Sequence, residues 1–125
     1  MNKKIKVSVV GGSGYTGIEL LRLLALHPNV EILHITSRND SGKFVHEIYP
    51  SLRGVLSNQF VDPDKVELAD SNLVFFATPS GIAMNYVEKL LSKEVKVIDL
   101  AADFRIKDIK EWEKWYEMPH KCPDV

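Results

Sequence analysis

The sequence predicts an α/β fold in which a doubly wound parallel sheet is covered by helices on both faces. Three observations carry this expectation. A β-branched run (Ile5, Val7, Val9, Val10) breaks at glycines and resumes as a leucine-rich helical pattern within VSVVGGSGYTGIELLRLL, positions 7–24. The run Leu73 to Ala77 (LVFFA) is continuously apolar, as a strand is when a parallel sheet buries both its faces. Strand-like and helix-like segments alternate around these two landmarks, and alternation favours parallel pairing through helical crossovers.

The first strand ends in Gly12-x-Gly14-x-x-Gly17, the spacing of the dinucleotide fingerprint. In that pattern one glycine makes the turn, the next lets the backbone approach a pyrophosphate, and the third lets helix and strand pack closely. Backbone N–H groups at the start of the helix then face an anion, helped by the positive end of the helix dipole. Gly12, Ser13, Gly14, Tyr15, Thr16 and Gly17 are therefore cofactor-binding candidates. Thr16 and Glu19 stand in capping-box spacing, so the helix is expected to begin near Tyr15 or Thr16 and to stop before Pro28.

Val30 to Ser37 (VEILHITS) reads as the second strand. An acidic residue about 20 positions past the fingerprint would take a ribose 2′-hydroxyl in an NAD binder. Thr36-Ser37-Arg38-Asn39 stands there instead. A guanidinium beside hydroxyl groups suits a 2′-phosphate, which arginine grips through two parallel charged hydrogen bonds. Ser37 and Arg38 join the candidates and the expected cofactor is NADP. Asp40 is the alternative, as the ribose acid of a longer strand.

Further along, His46 to Leu52 reads as helical, Gln59 to Val61 as a short strand, and Asp62-Pro63-Asp64 as a turn. His46 and Tyr49 receive no role. Thr78-Pro79-Ser80-Gly81 closes the Leu73 strand at its C-terminal end, and Ile82, Ala83, Tyr86, Val87, Leu90 and Leu91 give the next helix a buried stripe. Val95 to Leu100 is a further strand. A ligand of such a sheet sits at the switch between the first strand and the Leu73 strand, which adds Thr78, Pro79 and Ser80 to the candidates. Ala101-Ala102-Asp103 forms a nearby turn, Asp103 and Arg105 a local ion pair, and Asp108-x-x-Glu111 opens a short helix with Ile109, Trp112 and Tyr116 on one face. The whole pattern is Rossmann-like.

Composition bounds the function. The chain of 125 residues carries 16 basic and 17 acidic groups, a net charge of −1, and gives no sign of a nucleic-acid or anionic-membrane partner. No apolar stretch approaches the roughly 20 residues needed to span a bilayer. Its single cysteine, Cys122, forms no internal disulfide, and no Cys/His spacing suits a metal. A cytoplasmic setting is expected.

With these residues in hand, the chain resembles the N-terminal part of N-acetyl-γ-glutamyl-phosphate reductase, the arginine-biosynthesis enzyme. The resemblance rests on GGSGYTGIELLRLL (11–24), TSR (36–38) with Gly42-Lys43, the LRG at Leu52 to Gly54, VIDLAADFRI (97–106) and the WY pair followed by His120. Ala101 stands where the family commonly has serine. The resemblance implies an NADP-binding domain over 1–125 that precedes the substrate domain, a small acyl-phosphate substrate, and a homo-oligomer in the full-length enzyme; the alternatives are a related reductase of a carrier-linked aminoadipyl phosphate in lysine synthesis and a non-catalytic nucleotide-binding module. It also implies a mechanism in which a cysteine thiolate displaces phosphate and a hydride reduces the resulting thioester to a semialdehyde. The family's cysteine follows Asn-Pro-Gly, which does not occur here, and Cys122 lies in His-Lys-Cys-Pro. No catalytic residue is therefore assigned, and the chain alone is expected to be inactive.

Overall fold

The computed structural model describes residues 4–79, 81–100, 110, 112 and 113. Four strands, β1 (Ile5–Val10), β2 (Val30–Thr36), β3 (Leu73–Phe76) and β4 (Lys96–Asp99), form one sheet in the order β2-β1-β3-β4. Every neighbouring pair is parallel. The chain runs outward from β1 to β2, then crosses back to β3 on the other side of β1. That reversal is the topological switch, and it lies where the glycine turn leaves β1.

The pleat divides the core. Val7 and Val9 of β1 join Leu21 and Leu24 of helix α1 (Tyr15–Ala25) on one face, together with Ile35, Leu52 and Phe60. Val10 points the other way, toward Val74 and Phe76 and the buried side of α3 (Val87–Ser92), where Val87 and Leu90 lie. Helices cover opposite faces, as the doubly wound expectation requires. β3 is central as expected, with Val74 and Phe76 on one face and Leu73 and Phe75 packed against the other cluster.

β2 carries an irregularity that its sequence conceals. Val7 faces Ile32 while Ser8 faces His34, so Leu33 is an extra residue and the register shifts there. Val30 and Ile32 before the shift, and Ile35 after it, all reach the α1-side core. A bulge that inserts one residue inverts the alternation beyond it, which is how even-numbered and odd-numbered positions come to share a face.

Several expectations need correction. Thr16 is exposed inside α1 and caps nothing; the cap position is Gly14, without a side-chain bond, and Glu19 instead accepts from Arg22 at 3.0 Å. The 46–52 helix is two short pieces, α2 (Val45–Ile48) and a 3₁₀ turn (Pro50–Leu52), divided by the proline. Gln59 and Val61 make isolated bridges, to Phe44 and to Thr36, rather than a strand. The helix after β3 is also broken, into a 3₁₀ turn (Ala83–Asn85) and α3, and Ile82 and Leu91 of its expected buried stripe are exposed. The Asp62-Pro63-Asp64 turn is present, with the Asp62 carboxylate accepting from the Asp64 amide at 2.9 Å. Trp112 is buried, in keeping with a packing role. The 101–103 turn, the Asp103 and Arg105 pair, the Asp108-x-x-Glu111 cap, Tyr116, His120 and Cys122 lie outside the described residues.

Candidate dinucleotide site

Each glycine of the turn does a different job, and a methyl group built on each makes the difference measurable. Gly11, which the fingerprint does not include, is the residue that turns the chain: its φ is +82°, a region that side chains rarely adopt. A Cβ on Gly12 would lie 2.6 Å from Cγ2 of Ile35, and one on Gly17 would lie 2.8 Å from the Gly12 backbone. At Gly14 a Cβ would meet nothing within 4 Å. Gly12 and Gly17 therefore serve close packing, while Gly14 borders open space at the start of α1. The assignment of the turn to the first fingerprint glycine is corrected to Gly11.

Thr36 fastens this loop to the sheet. Its carbonyl accepts from the amides of Gly11 at 3.2 Å and Gly12 at 3.1 Å. Beyond them, no acceptor among the described residues takes the amides of Ser13, Gly14, Tyr15, Thr16 or Gly17. Ser13, Gly14, Tyr15 and Thr16 are exposed, Tyr15 at 94%. Free amides at the N-terminus of an 11-residue helix, beside a position with no side chain, fit a pyrophosphate.

The second loop is tied to the first. Ser37, only 6% exposed, lies beside Ser13 with its hydroxyl 3.3 Å from the Ser13 oxygen, and its own oxygen accepts from the Asp40 amide at 3.2 Å. Tyr49, which had no role in the sequence, donates its hydroxyl to the Gly14 carbonyl at 3.4 Å. Partial burial and the nearby Asp40 carboxylate raise its pKa and keep that proton in place. Nothing in the spacing of Tyr49 from the glycines signals this contact, which arises when α2 returns the chain across the loop.

Arg38 emerges from the same loop and finds an unexpected partner. Its guanidinium donates to both carboxylate oxygens of Asp64, at 2.6 and 3.2 Å, and to the Tyr86 hydroxyl at 3.3 Å. Asp62 stands 3.7 Å away. The Asp64 hydrogen bonds and charge raise the guanidinium pKa further, and Arg38 in turn lowers that of Asp64. The meeting follows from the backbone: Ser37 donates to the Val61 carbonyl at 3.0 Å, which sets the 62–64 turn alongside the end of β2. Asp40, the alternative ribose acid, is four positions past the last strand residue and pairs with Lys43 at 3.4 Å.

Thr78 abuts the glycine turn from β3, since a Cβ on Gly11 would lie 2.7 Å from its methyl group. Its hydroxyl oxygen is buried without a hydrogen-bond partner among the described residues. Pro79 is exposed beside it, and Ser80 lies outside the described residues. Two loops at the C-terminal end of the sheet, 11–17 and 36–38, thus converge with Thr78 at the switch point. A cavity of about 660 Å³ lined by Ile5, Asn72, Lys93 and Lys96 opens at the opposite ends of the strands and takes no part in this site.

Residues 6–125 match the protein family described as semialdehyde dehydrogenase, NAD binding domain. The chain belongs to that family. Its four-stranded parallel sheet is Rossmann-like, and it is homologous to N-acetyl-γ-glutamyl-phosphate reductases. The enzyme of that name from Laribacter hongkongensis is 59% identical over 121 residues, covering 97% of this chain and 35% of that protein. That from Neisseria meningitidis serogroup C is 55% identical over 125 residues, covering all of this chain and 36% of the other. The chain spans about a third of the length of the curated relatives it matches. Among solved structures, aspartate semialdehyde dehydrogenase with NADP from Candida albicans shares the fold, with a TM-score of 0.70 and 18% identity over 86% of this chain and 32% of that one. Among the described residues, no helix is long and apolar enough to cross a membrane and no His/Cys/Asp/Glu group suits a metal.

Proposed function

We propose that this chain is the NADP(H)-holding domain, over 1–125, of a reductase that converts N-acetyl-γ-glutamyl phosphate to the corresponding semialdehyde. The observation that carries the dinucleotide assignment is the loop at Gly14, where free amides and an absent side chain meet at the start of α1. The amides of Ser13 to Gly17 hold the pyrophosphate, the Ser13 and Ser37 hydroxyls fix the loop pair, and Arg38 takes the 2′-phosphate. Thr78 and Pro79 close the site from β3, and Ser80 joins them as a cofactor-binding candidate from its sequence position alone. Bound NADPH supplies a hydride to the acyl carbon.

The substrate assignment is supported by the 55–59% identity to reductases of that name. Those 125 residues contain no Asn-Pro-Gly-Cys, so the chain by itself binds the cofactor and turns nothing over. Titration with NADPH and NADH, followed by nicotinamide fluorescence and repeated with Arg38→Ala, tests the reading. It stands if NADPH is preferred and the preference vanishes in the variant. Equal binding of both cofactors removes the Arg38 assignment, and phosphate-dependent semialdehyde oxidation by this chain alone removes the inactivity.

A further inference from the structure

The charge around Arg38 does not match a ready phosphate site. One guanidinium is faced by two carboxylates, Asp64 in direct hydrogen bonds and Asp62 at 3.7 Å, so the cluster is net negative before any ligand arrives. The hydrogen bonds also occupy the Nη1–Nη2 edge of the fork. Nη1 and Nη2 both point to Asp64, and Nη2 also donates to Tyr86. A phosphate that binds arginine through two parallel bonds needs such an edge. A 2′-phosphate carries close to two negative charges at neutral pH, so it cannot share the guanidinium with a carboxylate at the same edge without repulsion.

The two acids are not equivalent. The Asp62 carboxylate is engaged in the turn, where it accepts from the Asp64 amide. The Asp64 carboxylate has no partner among the described residues except Arg38, and its side chain is 64% exposed. Tyr86 is anchored below, its ring 5.9 Å from that of buried Phe76, and its hydroxyl can donate to whatever anion occupies the arginine. The movable competitor is Asp64.

We propose that Asp64 sets the cofactor preference of this domain by occupying Arg38 in competition with the 2′-phosphate of NADP(H). NADPH binds at the expense of the Arg38–Asp64 pair, whereas NADH leaves that pair in place. The native ratio of NADPH to NADH affinity is therefore lower than Arg38 alone would give. The inference rests on the assignment of the 2′-phosphate to Arg38.

Asp64→Asn removes the charge, keeps the shape, and leaves the Asp64 amide free to bond Asp62. In this variant NADPH should bind roughly three- to tenfold more tightly while NADH is unchanged, a gain set by one like charge at a partly exposed site. The effect should vanish when Arg38→Ala is present, because the competition acts only through the guanidinium. Unchanged or weaker NADPH binding in Asp64→Asn, with Arg38→Ala still abolishing the preference, overturns the inference and spares the phosphate assignment. If Arg38→Ala itself leaves the ratio unchanged, that assignment falls and the inference with it.

Discussion

Gly17 packs its α-carbon against the Gly12 backbone so closely that an added methyl group would lie 2.8 Å from the Gly12 carbonyl. This contact fixes the start of α1 against the end of β1. The atoms to be displaced are backbone, which cannot rotate away. Gly17→Ala gains about 1 kcal/mol of helix propensity, but overpacking costs 1–3 kcal/mol or more. The expected outcome is a net loss of up to roughly 2 kcal/mol, read as a lower urea midpoint at unchanged slope. An equal or higher midpoint would show that the turn yields.

Gly14→Ala should behave in the opposite way. Its φ of −102° is open to alanine, and the new methyl would meet no atom within 4 Å. Stability should fall by no more than about 1 kcal/mol, the preference for glycine over alanine at a helix cap position. Binding should suffer, because the methyl fills the space from which the pyrophosphate meets the amides. NADPH and NADH should weaken alike, roughly tenfold, since both carry the same pyrophosphate. Selective loss of one cofactor would place Gly14 elsewhere than at the shared group.

Beneath the sheet, the hydroxyls of Ser8 and Ser71 meet at 2.6 Å, both almost fully buried. Ser8 occupies a position in β1 where its neighbours Val7, Val9 and Val10 are all core residues, so the pair joins the strand to the turn that precedes β3. Ser8→Ala or Ser71→Ala strands one buried hydroxyl and should cost about 1–3 kcal/mol. Removing both hydroxyls leaves no orphan. The double variant should therefore lose less than the sum of the singles, and strict additivity in a denaturation cycle would contradict the pairing.

The sequence made the sheet and the glycine loop legible because both depend on local pattern. Gly12, Gly14 and Gly17 announce a tight strand-to-helix turn, and LVFFA announces a strand buried on two faces. What the pattern could not show comes from contacts distant in sequence. The bulge at Leu33 is set by pairing with β1, which begins 28 positions earlier, at Ile5. The Tyr49 bond to Gly14 spans 35 positions and the Arg38 bond to Asp64 spans 26. Arg38 was readable as a cation at the end of β2. That its charge is already opposed was not, because Asp64 lies in a turn whose position depends on the bridge between Thr36 and Val61.

The same opposition predicts how Asp64 titrates. Hydrogen bonds from Arg38 hold its carboxyl below the ordinary aspartate value, and slight desolvation opposes them only in part. With the folded-state pKa depressed, the pair contributes to stability above the unfolded-state value, near 3.8, and that contribution is lost as pH falls through the lower folded value. Carboxyl carbon NMR should place the Asp64 midpoint below that of an exposed aspartate, and Arg38→Ala should return it to the ordinary range. Adding NADPH should raise the midpoint, because the guanidinium turns to the phosphate and a dianion comes to stand beside the carboxylate. NADH carries no 2′-phosphate and should leave it where it was. A midpoint indifferent to both cofactors would mean that Arg38 and Asp64 stay paired through binding, and that the 2′-phosphate is held elsewhere.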